Sequence, residues 1–170
     1  GGAELRLIVP IGVAGAGAVL YYNPFSAGAS AAPSPSARVL RYSLPDDVLA
    51  AYLECYRERL LDTTRLYPGV AEALSELGGT PLAVLTNKPG DMSRAILEGL
   101  GVATCFARVW GAGEVPARKP DPAGLLGLMA ELGATARETW MIGDSATDVL
   151  AARAAGTRVA GVAWGFHPEG

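Results

Sequence analysis

From residue 81 onward the chain alternates short, wholly apolar runs with stretches of about ten residues spaced for helices, and this pattern leaves few folds open. Residues 81–86 (PLAVLT) and 139–142 (TWMI) lack polar alternation, as strands buried on both faces do. Residues 107–110 and 158–164 read as two further short strands. Between them, helices are expected over 91–101, 121–133 and 145–155, with Gly101, Gly133 and Gly156 at or just beyond their ends. Strands alternating with helices mean βαβ units, right-handed crossovers and a parallel sheet covered on both faces. The fold class is therefore α/β, and the ligand site lies beyond the carboxyl ends of the strands.

Upstream, residues 46–62 place Leu49, Tyr52, Leu53, Tyr56 and Leu60 on one helical face, and residues 63–65 read as a linker. Pro68 opens another short helix that Gly78-Gly79 stops. The division expected is an atypical low-charge segment over 1–44, a helix and linker over 45–65, and an α/β core over 66–170. The chain has 170 residues, half of them hydrophobic, which excludes a disordered chain as a whole. A net charge of −3 supplies no electrostatic pull toward nucleic acid or an anionic membrane. Cys55 and Cys105 make no disulfide framework, so a cytoplasmic setting is expected.

The first forty residues differ. Their only charges are Glu4, Arg6 and Arg38. A membrane helix needs about 20 apolar residues, but the apolar run 7–22 is broken by Pro10, Gly12, Gly15 and Gly17. A secretory signal would use Arg6 and the small residues 27–29. A dinucleotide loop fails because Leu20 stands where the third glycine belongs. Residues 26–36 are low in complexity, and Ala, Gly, Pro, Ser and Arg dominate. A segment read from GC-rich DNA in a shifted frame has the same composition.

Three polar clusters fall at the expected strand ends: Thr86-Asn87-Lys88, Arg118-Lys119-Pro120-Asp121-Pro122, and Gly143-Asp144 through Asp148. A hydroxyl with backbone amides, a lysine and a carboxylate pair suit a phosphoryl group held with a hard divalent cation. Each cluster alone also has a plain structural account: turn punctuation at Thr86-Asn87, a solvated loop lysine, a carboxylate pair at a helix N-terminus. Together they weigh more, because Lys88 and Lys119 are the only lysines in the chain.

LTNKP (85–89), RKPDP (118–122) and GDSATDVLAARAAG (143–156) resemble the later motifs of the haloacid dehalogenase-like (HAD) hydrolases, with the phosphoglycolate phosphatase branch most similar. YPGVAEALSEL (67–77) resembles that branch's entry into the core, and residues 46–65 resemble the last helix of its helical cap. The resemblance implies a HAD-like Rossmannoid core and Mg²⁺-dependent hydrolysis of a small phosphorylated metabolite, 2-phosphoglycolate, through an aspartyl-phosphate. Thr86 and Asn87 would hold the phosphoryl group and Lys119 would neutralise its charge. Asp144 would ligate Mg²⁺, with Asp148 ligating through water or orienting Lys119.

The family's first motif, D-x-D-G-T on the central strand, has no counterpart, because no aspartate precedes Asp46. The central strand is therefore expected to be missing or replaced, and the sheet to carry an unpaired gap unless residues 5–11 fill it. The expectation is an N-terminally incomplete or frameshifted phosphatase, cut short beyond its last strand and inactive as written. The alternative is a HAD-like protein that binds phosphate or metal without turnover.

Overall fold

Leu82, Ala83, Val84 and Leu85 are buried without a break, and the next four residues are half-buried, so the strand they open runs from the core to an accessible edge. That strand belongs to a computed structural model that describes residues 6–9 and 46–162. The elements in chain order are β1 (Arg6–Val9), α1 (Asp46–Glu58), α2 (Val70–Glu76), β2 (Leu82–Pro89), α3 (Gly90–Gly99), β3 (Arg108–Ala112), α4 (Ala123–Glu131), β4 (Thr139–Gly143), α5 (Ala146–Ala155) and β5 (Arg158–Gly161). The five strands form one parallel sheet in the order β3-β2-β1-β4-β5.

The centre of the sheet is filled. Leu7 of β1 pairs with Leu82 on one side and Trp140 on the other. Of the two outcomes expected there, a missing or a replaced strand, the structure has the second, and the unpaired gap does not arise. The reason is that a parallel ladder asks for backbone hydrogen-bonding groups in an extended chain. The sequence RLIV supplies that with two β-branched residues, and no carboxylate is needed.

Successive β2 side chains point to opposite faces and build two cores. Ala83 and Leu85 pack with Leu125, Leu128, Met129, Met141, Ala152 and Ala155 from α4, β4 and α5. Leu82 and Val84 pack with Leu74 of α2, Leu97 of α3 and Val102. Leu125, Leu128 and Met141 are wholly buried. The helix boundaries follow local chemistry. Asp121 Oδ1 accepts the Ala123 N–H at 2.8 Å and so satisfies an N-terminal donor of α4. Gly156 ends α5 with φ 72°, a left-handed conformation that glycine adopts without penalty.

β1 and the described residues from Leu60 to Val162 belong to one unit, and α1 with Arg59 to another. Within α1 the rings of Tyr52 and Tyr56 stack 6.1 Å apart, although Tyr52 is about half exposed. No described helix is long and apolar enough to cross a membrane. The apolar run 7–22, apart from β1, lies outside the described residues, as does the low-complexity stretch 26–36.

Candidate functional site

β2 changes character at Leu85. Leu85 pairs with Trp110 and Pro89 with Ala112, so four steps along β2 match two along β3. The excess bows Thr86, Asn87 and Lys88 out of the ladder at the strand's carboxyl end, the kind of irregularity that re-aims side chains beside a site. Thr86 Oγ1 accepts the Lys88 N–H at 3.1 Å, which tightens the bow.

Lys119 lies in the segment between β3 and α4 and reaches back under that bow. Its side chain is buried, and its Nζ donates to the Leu85 carbonyl at 2.8 Å and to Asp148 Oδ1 at 2.6 Å. An ammonium has three donors, so one remains beyond these two. The Lys119 main chain is held as well: its N–H donates to Asn87 Oδ1 at 3.0 Å, and its carbonyl accepts from Asn87 Nδ2 at 2.9 Å. The Lys119–Pro120 peptide is cis.

Asp148 is 1% exposed. Its Oδ1 takes the Lys119 ammonium, and its Oδ2 accepts the Ser145 N–H at 3.1 Å and the Ser145 hydroxyl at 2.6 Å. The second set is a capping arrangement that starts α5. Gly143 makes room for it: a Cβ there would collide with the Asp148 side chain. Asp144, at the end of β4, is half-buried, and among the described residues its carboxylate has no hydrogen bond or ion pair. Because β2 and β4 are parallel and flank β1, Thr86 and Asp144 share one sheet edge.

Two further ionic features border the site. Arg118 precedes Lys119, and burial lowers its pKa, which leaves a guanidinium charged at any physiological pH. Arg94 of α3 donates to Glu114 Oε1 at 2.6 Å, and Gly111 N–H donates to Glu114 Oε2 at 2.9 Å. The Arg94 hydrogen bond is the largest cause of a lowered Glu114 pKa, and it raises that of Arg94.

Lys119 and Asp148 are thus joined directly, and Asn87 is joined to Lys119 through the main chain. Thr86 follows the carbonyl that anchors the ammonium. Asp148 meets the Lys119 ammonium directly, and both its oxygens accept from protein donors. The Asn87 side chain faces the Lys119 peptide. Sequence inspection missed this clamp, the Leu85 carbonyl and the Ser145 cap. Only the cap had a signal, in the S-x-x-D spacing of residues 145–148.

Among the described residues no group of three His, Cys, Asp or Glu could hold a metal ion. The Asp144 carboxylate, without a partner among the described residues, does fit a looser mode, in which Mg²⁺ takes one or two carboxylates and completes its shell with phosphate oxygens and water.

The model of the haloacid dehalogenase-like hydrolase family matches residues 32–162. A phosphoglycolate phosphatase of Rhodospirillum rubrum is 42% identical over 123 residues, covering 71% of this chain and 51% of the relative. The chain spans about half the length of the curated relatives it matches. A predicted phosphoglycolate phosphatase of Haemophilus somnus 129pt, known as a crystal structure, superposes with a TM-score of 0.68 at 34% identity, over 72% of this chain and 57% of that one. A HAD-superfamily hydrolase of subfamily IA, variant 1, from Geobacter sulfurreducens PCA superposes with a TM-score of 0.61 at 26% identity, over 94% and 87%.

Proposed function

The chain belongs to the haloacid dehalogenase-like hydrolase family, and from that premise we propose that it carries the phosphate-binding half of a phosphoglycolate phosphatase-type site. One observation supports this above the others: a buried ammonium, anchored by Asp148 and by the carbonyl of Leu85, the residue before Thr86, with one donor left over among the described residues. In this reading Thr86 and the Asn87 amide hold phosphoryl oxygens, and Lys119 neutralises their charge. Phosphoryl transfer needs mainly such positioning and charge stabilisation. Asp144 would hold Mg²⁺, which when bound supplies further charge neutralisation on the phosphoryl oxygens. The ligand class is a small phosphorylated metabolite, 2-phosphoglycolate first, in the cytoplasm.

Hydrolysis through an aspartyl-phosphate also needs a carboxylate nucleophile. The residues following β1 are Pro10, Ile11, Gly12 and Val13, and no aspartate precedes Asp46. This favours binding without turnover for the chain as written. The experiment titrates the full chain with orthophosphate and 2-phosphoglycolate, with and without Mg²⁺, by calorimetry, and assays phosphate release in parallel. The expected result is Mg²⁺-assisted binding that Thr86→Ala and Lys119→Met abolish, with no release above background. Absence of binding refutes the site. Robust hydrolysis refutes the lack of turnover, since a covalent nucleophile contributes to rate enhancements that begin near roughly 10⁶-fold.

A further inference from the structure

Asn87 and Lys119 are 32 positions apart, yet one carboxamide meets one residue's main chain on both sides. The Lys119 N–H donates to Oδ1 at 3.0 Å, and Nδ2 donates to the Lys119 carbonyl at 2.9 Å. The chemistry allows a single orientation of that carboxamide, because turning it over would set donor against donor and acceptor against acceptor. The N–H and C=O of Lys119 belong to the two successive peptide units that flank its Cα, and one side chain satisfies both. It spans from the bow in β2 to a segment that belongs to no strand or helix. The following residue is Pro120, which has no N–H to offer, so the neighbouring peptide cannot supply the same anchor.

We propose that Asn87 is a positioning residue, whose carboxamide fixes the main chain from which Lys119 extends its ammonium to the phosphate-binding edge. Lys119 is thereby held at both ends. Asn87 sets its root, and Asp148 with the Leu85 carbonyl sets its tip. A tip anchor alone leaves a four-carbon stem whose root can move. Two anchors leave the third ammonium donor one direction. The consequence for phosphate rests on the function proposed above, whereas the clamp itself does not.

The test keeps these two apart and uses the full chain. Exchange of the Lys119 amide is followed by NMR in the wild type, Asn87→Ala and Asn87→Asp. Acylation of the Lys119 amine by acetic anhydride is measured against that of Lys88 by peptide mass spectrometry. Losing two hydrogen bonds raises Lys119 amide exchange and relative acylation by about tenfold in Asn87→Ala. The Met141 and Ala152 amides keep their rates. Asn87→Asp keeps the acceptor but sets an oxygen against the Lys119 carbonyl, so its rates fall between. Orthophosphate affinity drops in the same order.

Unchanged Lys119 exchange and acylation in both variants overturns the proposal. Equal loss of protection at Met141 and Ala152 also overturns it, since that marks general destabilisation. If Asn87→Ala does not fold, Asn87→Asp decides on the same readouts. In the wild type, Asn87 side-chain protons that exchange as fast as those of an exposed carboxamide overturn the proposal without any variant. If the Lys119 readouts respond but orthophosphate binds no form of the chain, the clamp stands and the function proposed above falls.

Discussion

The Lys119–Asp148 pair allows a quantitative forecast. Nζ and Oδ1 stand 2.6 Å apart, with side-chain exposures of 6% and 2%. At an effective dielectric near 20, two unit charges at that separation attract by about 6 kcal/mol, before the cost of removing both from water. The net value of such a pair is much smaller, but breaking it from one side strands a buried charge and costs about 3–5 kcal/mol. Lys119→Met strands Asp148. Asp148→Asn strands Lys119 but keeps an oxygen for Ser145, so α5 retains its cap. The double variant strands neither. Urea unfolding followed by circular dichroism should show both single variants destabilised by that amount. The double variant should be more stable than their sum by about 2–3 kcal/mol, the upper range for directly coupled residues. A coupling below about 0.5 kcal/mol, the scatter of independent sites, would refute the claim that this pair acts as one buried unit.

Two further outcomes are expected. The Glu114 carboxyl is held below its ordinary 4.5, first by the Arg94 hydrogen bond. Its contribution is therefore present above that ordinary value and is lost as pH falls through the lowered folded one. Both side chains are more than a third exposed, so the effect is about 0.2–1 kcal/mol, and Glu114→Gln should flatten the acid limb of a urea-midpoint-against-pH curve by that amount. Separately, Gly143→Ala drives a methyl into the Asp148 side chain. It should cost about 1–3 kcal/mol and weaken orthophosphate binding more than an equally destabilising change in α4. Equal effects on binding would show that the close approach is not tied to the site.

Much of the sheet is legible in the sequence because buried parallel strands announce themselves as unbroken apolar runs. Residues 81–86 and 139–142 locate β2 and β4, and the glycines after α3, α4 and α5 mark where those helices stop. β1 is harder. Three of its four residues lie inside a longer apolar run, and its strand state is set by pairing with partners 75 and more positions away. The extent of β2 is also hidden, since PLAVLT ends where the bow begins and the return to pairing at Pro89 depends on β3. At the site, residue types and order single out Lys119 and Asp148 as candidates. They do not show that both Asp148 oxygens accept from protein donors, nor that the Asn87 side chain serves a backbone. Those are facts of direction, and direction is decided by which neighbours close the remaining space.

The place of β1 also bears on biosynthesis. It precedes the other described strands, yet it lies between strands that begin at Leu82 and Thr139. At about 5–20 residues per second of translation, its second neighbour follows on the order of ten seconds later. During that interval β1 has no completed sheet to enter, and its closure waits on contacts of high sequence separation, which form slowly. The centre of the sheet thus stays open until β4 has been made, after which β5 is added at the edge. Slower elongation between residues 90 and 139 would prolong the half-open state.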